Sequence, residues 1–163
     1  MRTFDKLFFL DNDIPSTFLQ ENESFTKNKG TIRGLHFQFP PHSELKIVRV
    51  TQGSIMDVFL DLRKESKTFG QWDSIELSED NNLTVCIPKG FAHGFCTLTD
   101  NCRVVYKVDC NYNKEFESGI IWNDPELGIE WPTKNPISSD KDNSLMSFQE
   151  FLKQHSYIDV MKE

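Results

Sequence analysis

The residues best suited to chemistry cluster around His36. It stands in Gly34-Leu35-His36-Phe37-Gln38, with Arg33 just before it and Lys46-Ile47-Val48-Arg49-Val50 soon after. Imidazole is the side chain whose ordinary proton affinity lies nearest neutrality, so a histidine held in a strand beside fixed cations is equipped to move a proton on an anionic substrate. Residues two apart on a strand share a face, which aligns His36 with Gln38 and Lys46 with Val48 and Val50. Arg33 has the opposite parity to His36. For both to enter one pocket the backbone must rotate between them, and Gly34 is the residue that could allow a bulge there. For an isolated histidine, a structural bond to a neighbouring carbonyl is the simpler reading; the flanking Arg and Lys favour function.

A second constellation, Ile87-Pro88-Lys89-Gly90-Phe91-Ala92-His93-Gly94-Phe95, reads as a turn followed by a strand that sets His93 between aromatics. A packed histidine and a ligand-site histidine are equally consistent with that spacing. Tyr106, in Arg103-Val104-Val105-Tyr106-Lys107-Val108, is a phenol on a half-buried strand and becomes an acid only if something holds it against substrate. Metal chemistry is disfavoured. Cupin barrels that bind transition metals use a His-x-His pair, whereas this strand carries His36-Phe37-Gln38, and Gln is a poor ligand beside imidazole and carboxylate. With no nucleophile elbow, P-loop or dinucleotide glycine fingerprint, proton transfer without a cofactor is the economical chemistry.

The elements that must position these groups read as all-β. Between about 31 and 122, short runs rich in Val, Ile, Phe and Thr recur at Leu45 to Val50, Ser54 to Leu62, Trp72 to Leu77, Leu83 to Ile87 and Cys102 to Val108. Gln52-Gly53, Ser78 to Asn82 and Asp100-Asn101 supply reversals. The pattern predicts an antiparallel sandwich or barrel. Apolar residues at both parities, as in Val104-Val105, imply an exterior partly covered by another sheet or subunit. Towards the end, Asp142-Asn143-Ser144 offers N-cap chemistry, and Leu145, Phe148, Phe151 and Leu152 predict a C-terminal helix over about 143–155. A shorter helix is expected near Asp5 to Phe9 or Pro15 to Leu19.

The 163 residues form a single predicted domain, with 37% apolar and 26% charged residues and 14 Phe. A net charge of -7 and a pI near 5.1 exclude binding to nucleic acid or anionic membrane through bulk positive charge. The charged start lacks the apolar core of a signal peptide, and no apolar run approaches membrane-spanning length. A cytoplasmic protein is expected. Cys86, Cys96, Cys102 and Cys110 fall in apolar, strand-like segments without C-x-x-C spacing and read as reduced, mostly buried thiols.

Taken in order, several segments resemble the dTDP-4-dehydrorhamnose 3,5-epimerase family of nucleotide-sugar epimerases. They are Gln20 to Ser24, Arg33 to Gln38, Lys46 to Val50, Asp57 to Arg63, Ile87 to Phe95, Tyr106-Lys107 and Trp122-Asn123-Asp124-Pro125. The resemblance implies a cupin-like β-barrel of the jelly-roll type, a homodimer, and a nucleotide-diphosphate keto-sugar substrate. It further implies His36 as the base that removes a proton next to the 4-keto group, Tyr106 as the acid on the opposite face, and Lys46 as the enolate stabiliser. The carboxylate that orients His36 matches Asp142, with Asp140 a close competitor. Arg33, Gln20, Asn22, His93 and Tyr112 match substrate-binding positions. An Asp-x-Arg-Gly-x-Phe motif that helps hold the nucleotide in the family has no counterpart here, because the sequence begins after it, near Arg2-Thr3-Phe4. That absence favours, as an alternative, a non-catalytic sugar-nucleotide-binding module; a keto-sugar isomerase on the same barrel is a further alternative.

Overall fold

The computed structural model describes residues 2–161; the extreme ends of the predicted single domain, Met1, Lys162 and Glu163, lie outside them. The elements run α1 (Lys6–Asp11), β1 (Gln20–Thr26), β2 (Ile32–Gln38), β3 (Lys46–Gln52), β4 (Ser54–Asp61), β5 (Trp72–Ser78), β6 (Thr84–Ile87), β7 (Phe91–Thr97), β8 (Cys102–Val108), β9 (Glu117–Gly119), α2 (Asp140–Asn143) and α3 (Phe148–Gln154). The strands pair antiparallel in two sheets, ordered β1-β8-β3-β6 and β5-β4-β7-β2-β9. This is the expected all-β, cupin-like jelly roll. The reversals fall where turn residues stood in the sequence, with positive φ at Gly53, Asn82 and Asn101.

The sandwich begins earlier than the predicted boundary at about 31. Gln20–Thr26 is a strand that its composition hides, since alternate residues face a polar cavity and the others face solvent, leaving no apolar alternation to read. Between the sheets, Val48, Val50, Ile55, Leu77, Phe95 and Val104 form a buried cluster. A second cluster lies on the other face of the five-stranded sheet, where Leu35, Phe37, Val58 and Leu60 pack against Ile120, Phe151 and Ile158. The chain's own C-terminal segment therefore covers the exterior of the five-stranded sheet, which accounts for the apolar residues at both parities in that sheet.

The C-terminal helix expectation needs correction, and of the two places expected near the N-terminus the first holds a helix. The C-terminal helix is shorter than 143–155. It starts at Phe148, because Ser147 and Glu150 form a reciprocal capping box there, while Asp142-Asn143-Ser144 belongs to the end of the separate turn α2. Near the N-terminus the helix spans Lys6–Asp11 with Asp5 as its cap, and Pro15 to Leu19 is not helical. All four cysteines are free; burial pushes the Cys96 thiol up to about 11.

Candidate active site

A cavity of about 520 Å³ opens between the sheets and gathers His36, Tyr106, Lys46, Asp142, Arg33, Gln20, Asn22, His93 and Tyr112, every predicted site residue. Its two walls carry different chemistry. His36 and His93 sit opposite each other on neighbouring strands of the five-stranded sheet. Tyr106 and Lys46 come from the four-stranded sheet, where Tyr106 is opposite Val48 and Lys46 lies two residues along the same face.

Glycine makes the first wall possible. The β2–β7 register shifts between Arg33 and His36, which turns two residues of opposite parity into one cavity. Gly34 has φ of 108°, and a Cβ placed on it would lie 2.6 Å from the Gly94 Cα. A Cβ on Gly94 would in turn lie 2.5 Å from the Arg33 carbonyl oxygen. The two strands touch backbone to backbone at a point where any side chain would part them.

His36 Nε2 lies 2.6 Å from Asp142 Oδ1. The carboxylate is delivered by a segment anchored on both sides: Ile32 N donates to Ile137 O at 2.8 Å, and Ile121 N to Met146 O at 2.8 Å. Ser139 completes the support, its hydroxyl donating to Asp142 Oδ2 at 2.7 Å while accepting from Asp142 N at 3.1 Å. Burial by itself raises the Asp142 carboxyl, but the hydrogen bonds from His36 and Ser139 outweigh it and hold the group below the ordinary value of 3.8. Asp142 is thus a carboxylate that can only accept, so Nε2 is the donor in this contact, and in the neutral imidazole Nδ1 carries the lone pair. Of the two competing aspartates, Asp142 makes this contact and Asp140 is exposed.

His93 has its own carboxylate: Nε2 lies 2.7 Å from Oδ1 of Asp57, a side chain with no exposure. The other oxygen, Asp57 Oδ2, has no hydrogen-bond partner among the described residues. Tyr106 differs, since no described group bonds its hydroxyl. Burial, followed by the Glu44 carboxylate, raises its phenol above the ordinary value of 10.0, with Arg33 opposing and Glu117 adding to the rise. The phenol therefore stays protonated at neutral pH.

Arg33 Nε donates to Thr26 Oγ1 at 3.1 Å. At the mouth, Glu117 accepts from Tyr112 Oη at 2.8 Å and from Lys141 Nζ at 2.7 Å, and Gln20 Oε1 accepts from Tyr112 N at 2.8 Å. Burial raises the Glu117 carboxyl, yet the Lys141 and Tyr112 bonds prevail and lower it. Gln38, read from sequence only as an argument against metal, is buried and structural: its Oε1 accepts from Asn113 N at 2.7 Å and its Nε2 donates to His42 O at 3.2 Å.

Sequence reasoning missed Glu44, Asp57, Glu117, Ser139 and Lys141. One signal was available, since Asp57 interrupts the apolar run Ile55-Met56-Asp57-Val58-Phe59, and an acid inside such a strand needs a partner. Glu117, Ser139 and Lys141 lie in polar stretches without periodicity. The arrangement can remove a proton on one wall, return one from the other, and hold negative charge between them.

Comparisons with known proteins agree on one family. A family model described as dTDP-4-dehydrorhamnose 3,5-epimerase matches residues 1–150. The enzyme of that name from Methanothermobacter thermautotrophicus is 44% identical over 153 residues, 92% of this chain and 82% of the relative. Its namesake from Shigella flexneri is 48% identical over 125 residues, 77% of this chain and 68% of the relative. Among solved structures, the dTDP-4-dehydrorhamnose 3,5-epimerase of Bacillus anthracis with TDP and pyrophosphate bound superposes with a TM-score of 0.88 at 47% identity, covering 90% of this chain and 84% of that one. The epimerase of Legionella pneumophila in complex with dTDP-4-keto-L-rhamnose gives 0.89 at 35% identity, covering 97% and 83%.

Proposed function

The chain belongs to the dTDP-4-dehydrorhamnose 3,5-epimerase family, and on that premise we propose that it inverts C3 and C5 of a dTDP-linked 4-keto-6-deoxy sugar. The observation that carries the reading is the placement of a histidine–carboxylate pair on one sheet and a protonated phenol with an ammonium on the other, across one cavity.

In this reading His36 Nδ1 takes the proton from the carbon next to the keto group. The electron pair left behind moves onto the carbonyl oxygen as an enolate, and the new positive charge on the ring is met by Asp142. Lys46 donates to the enolate oxygen; one preorganised donor of this kind contributes roughly 2.7–4 kcal/mol. Tyr106 then gives its proton to the opposite face of the same carbon, which inverts the centre. Water returns a proton to Tyr106 and removes one from His36, so each inversion leaves a solvent hydrogen on the carbon.

Arg33 holds the diphosphate. Among the described residues Lys46 and Lys141 each face a carboxylate, whereas Arg33 bonds only the Thr26 hydroxyl, leaving its planar fork for an anion. Gln20, Asn22, His93 and Tyr112 contact the rest of the substrate. We further read the protein as a cytoplasmic homodimer: no described helix is long and apolar enough to cross a membrane, and Leu7, Phe8 and Leu10 of α1 are 71%, 59% and 53% exposed, an apolar patch suited to a second copy.

Proton NMR of the dTDP-linked keto sugar in deuterated water tests the reading. Deuterium at both C3 and C5 with formation of the inverted sugar is expected. Exchange at one carbon alone would reduce the function to a monoepimerase, binding without exchange would leave a binding module, and migration of the carbonyl would identify an isomerase.

A further inference from the structure

One carboxylate in the cavity has no part in the chemistry above. Glu44 lies in the connection between β2 and β3, two residues before Lys46, and its oxygens are divided between two partners. Oε1 lies 3.0 Å from Lys46 Nζ, and Oε2 accepts from Gln38 Nε2 at 3.2 Å. The Glu44 and Lys46 side chains are 13% and 11% exposed. Withdrawing a carboxylate from water is costly and is offset only by placed partners, so its presence on the wall of a catalytic cavity calls for a physical reason.

The reason lies in what surrounds Tyr106. Two cations share the cavity with the phenol, Lys46 from β3 and Arg33 from β2, and Arg33 favours phenolate, the form that cannot donate a proton. The carboxylates of Glu44 and of Glu117 from β9 oppose it. Asn22 of β1 pairs with Tyr106 and is neutral, while His36 and His93 face the cavity from the other sheet. Glu44 is therefore the counter-charge closest in structure to the cation that the reaction needs.

We propose that Glu44 is a positioning residue of the proton-donating wall: its carboxylate fixes the Lys46 ammonium between itself and the substrate and disfavours a second negative charge on Tyr106. Burial and Glu44 are the two leading causes of the raised Tyr106 phenol, in agreement with that geometry. The anchor is firm, because Gln38 is itself held by Asn113 N and His42 O. The inference rests on the epimerase reading and deepens it.

The test compares the parent chain with Glu44→Gln and Glu44→Asp. The chain has three tyrosines, so Tyr112→Phe with Tyr157→Phe leaves Tyr106 alone, and its ionisation can be followed by ultraviolet absorbance without any turnover. Glu44→Gln is expected to lower the Tyr106 midpoint by about one pH unit and to move the alkaline limb of kcat down with it, KM staying unchanged. Glu44→Asp keeps the charge but draws it back from Lys46; it should retain the midpoint and lower kcat, which also keeps the proposal testable if the Gln variant does not fold. An unmoved midpoint in Glu44→Gln, or an effect confined to KM, overturns the proposal. Failure of the parent chain to exchange deuterium would instead overturn the epimerase reading, while the absorbance titration still reports on Glu44.

Discussion

His36 Nε2 and Asp142 Oδ1 meet at 2.6 Å across a sequence separation of 106 residues. The pair exists because the segment from Ile137 to Met146 is bonded to Gly30, Ile32 and Ile121 at its ends and lays the Ser139-capped turn beside β2. An aspartate that bonds one ring nitrogen decides which nitrogen is basic. Asp142→Asn can present its amide N–H to the ring and reverse that tautomer, so kcat should fall about 10²-fold or more with KM little changed. Steady-state rates from NMR progress curves check this; a kcat equal to the parent's would remove the pair from the mechanism.

His36→Ala is expected to abolish solvent deuterium exchange at the carbons next to the keto group while the sugar nucleotide still binds. Exchange at the parent rate would mean that another residue is the base.

For Tyr106→Phe the two half-reactions should separate. Deprotonation is expected to persist, so deuterium enters with retention, and inverted product should be lost. Product NMR reads both quantities in one experiment, and full inversion by this variant would reject the acid role.

Removal of the cation by Lys46→Met should lower kcat by roughly 10²–10³-fold, the range for deleting one preorganised donor to a developing oxyanion. Glu44 is left without its ion partner, so some loss of thermal stability should accompany it. A lowered kcat in a variant of parental stability would favour the catalytic role most directly.

The acid side of the stability curve should depend on Asp142. Its carboxyl is lower in the folded chain than its ordinary 3.8, so the folded state binds fewer protons than the unfolded one. The resulting stabilisation is complete above 3.8 and disappears as pH falls through the lower folded value. Asp142→Asn should therefore lose less stability than the parent chain across that window, as read by thermal unfolding at a series of acidic pH values.

Much of this was open to inspection in the sequence because its causes are local. Strands β3, β4, β6 and β8 are apolar runs rich in β-branched residues, β5 mixes apolar with polar residues, and the side chains that build each face lie two residues apart. The placement of His36, Lys46 and Tyr106 on strands was legible for the same reason, since residue type and strand parity are local properties. The polar strand Gln20–Thr26 escaped notice because the cavity it faces is created by other strands. Ser147 took the helix start from Asp142-Asn143-Ser144 because the Glu150 side chain completes its capping box, whereas Ser139 had already closed a turn that Asp142 needed in order to reach His36.

The sequence by itself determined the all-β class, the residue types able to move protons, and the family to which their order belongs. Only the tertiary structure decided that His36 and Tyr106 stand on different sheets, that Asp142 rather than Asp140 contacts His36, and that Glu44 and Glu117 share the cavity with the cations. The physical reason is range. Parity and turn chemistry act over a few residues, whereas placing His36 and Tyr106 on two walls of one cavity depends on how two sheets pack and on the close approach of Gly34 to Gly94.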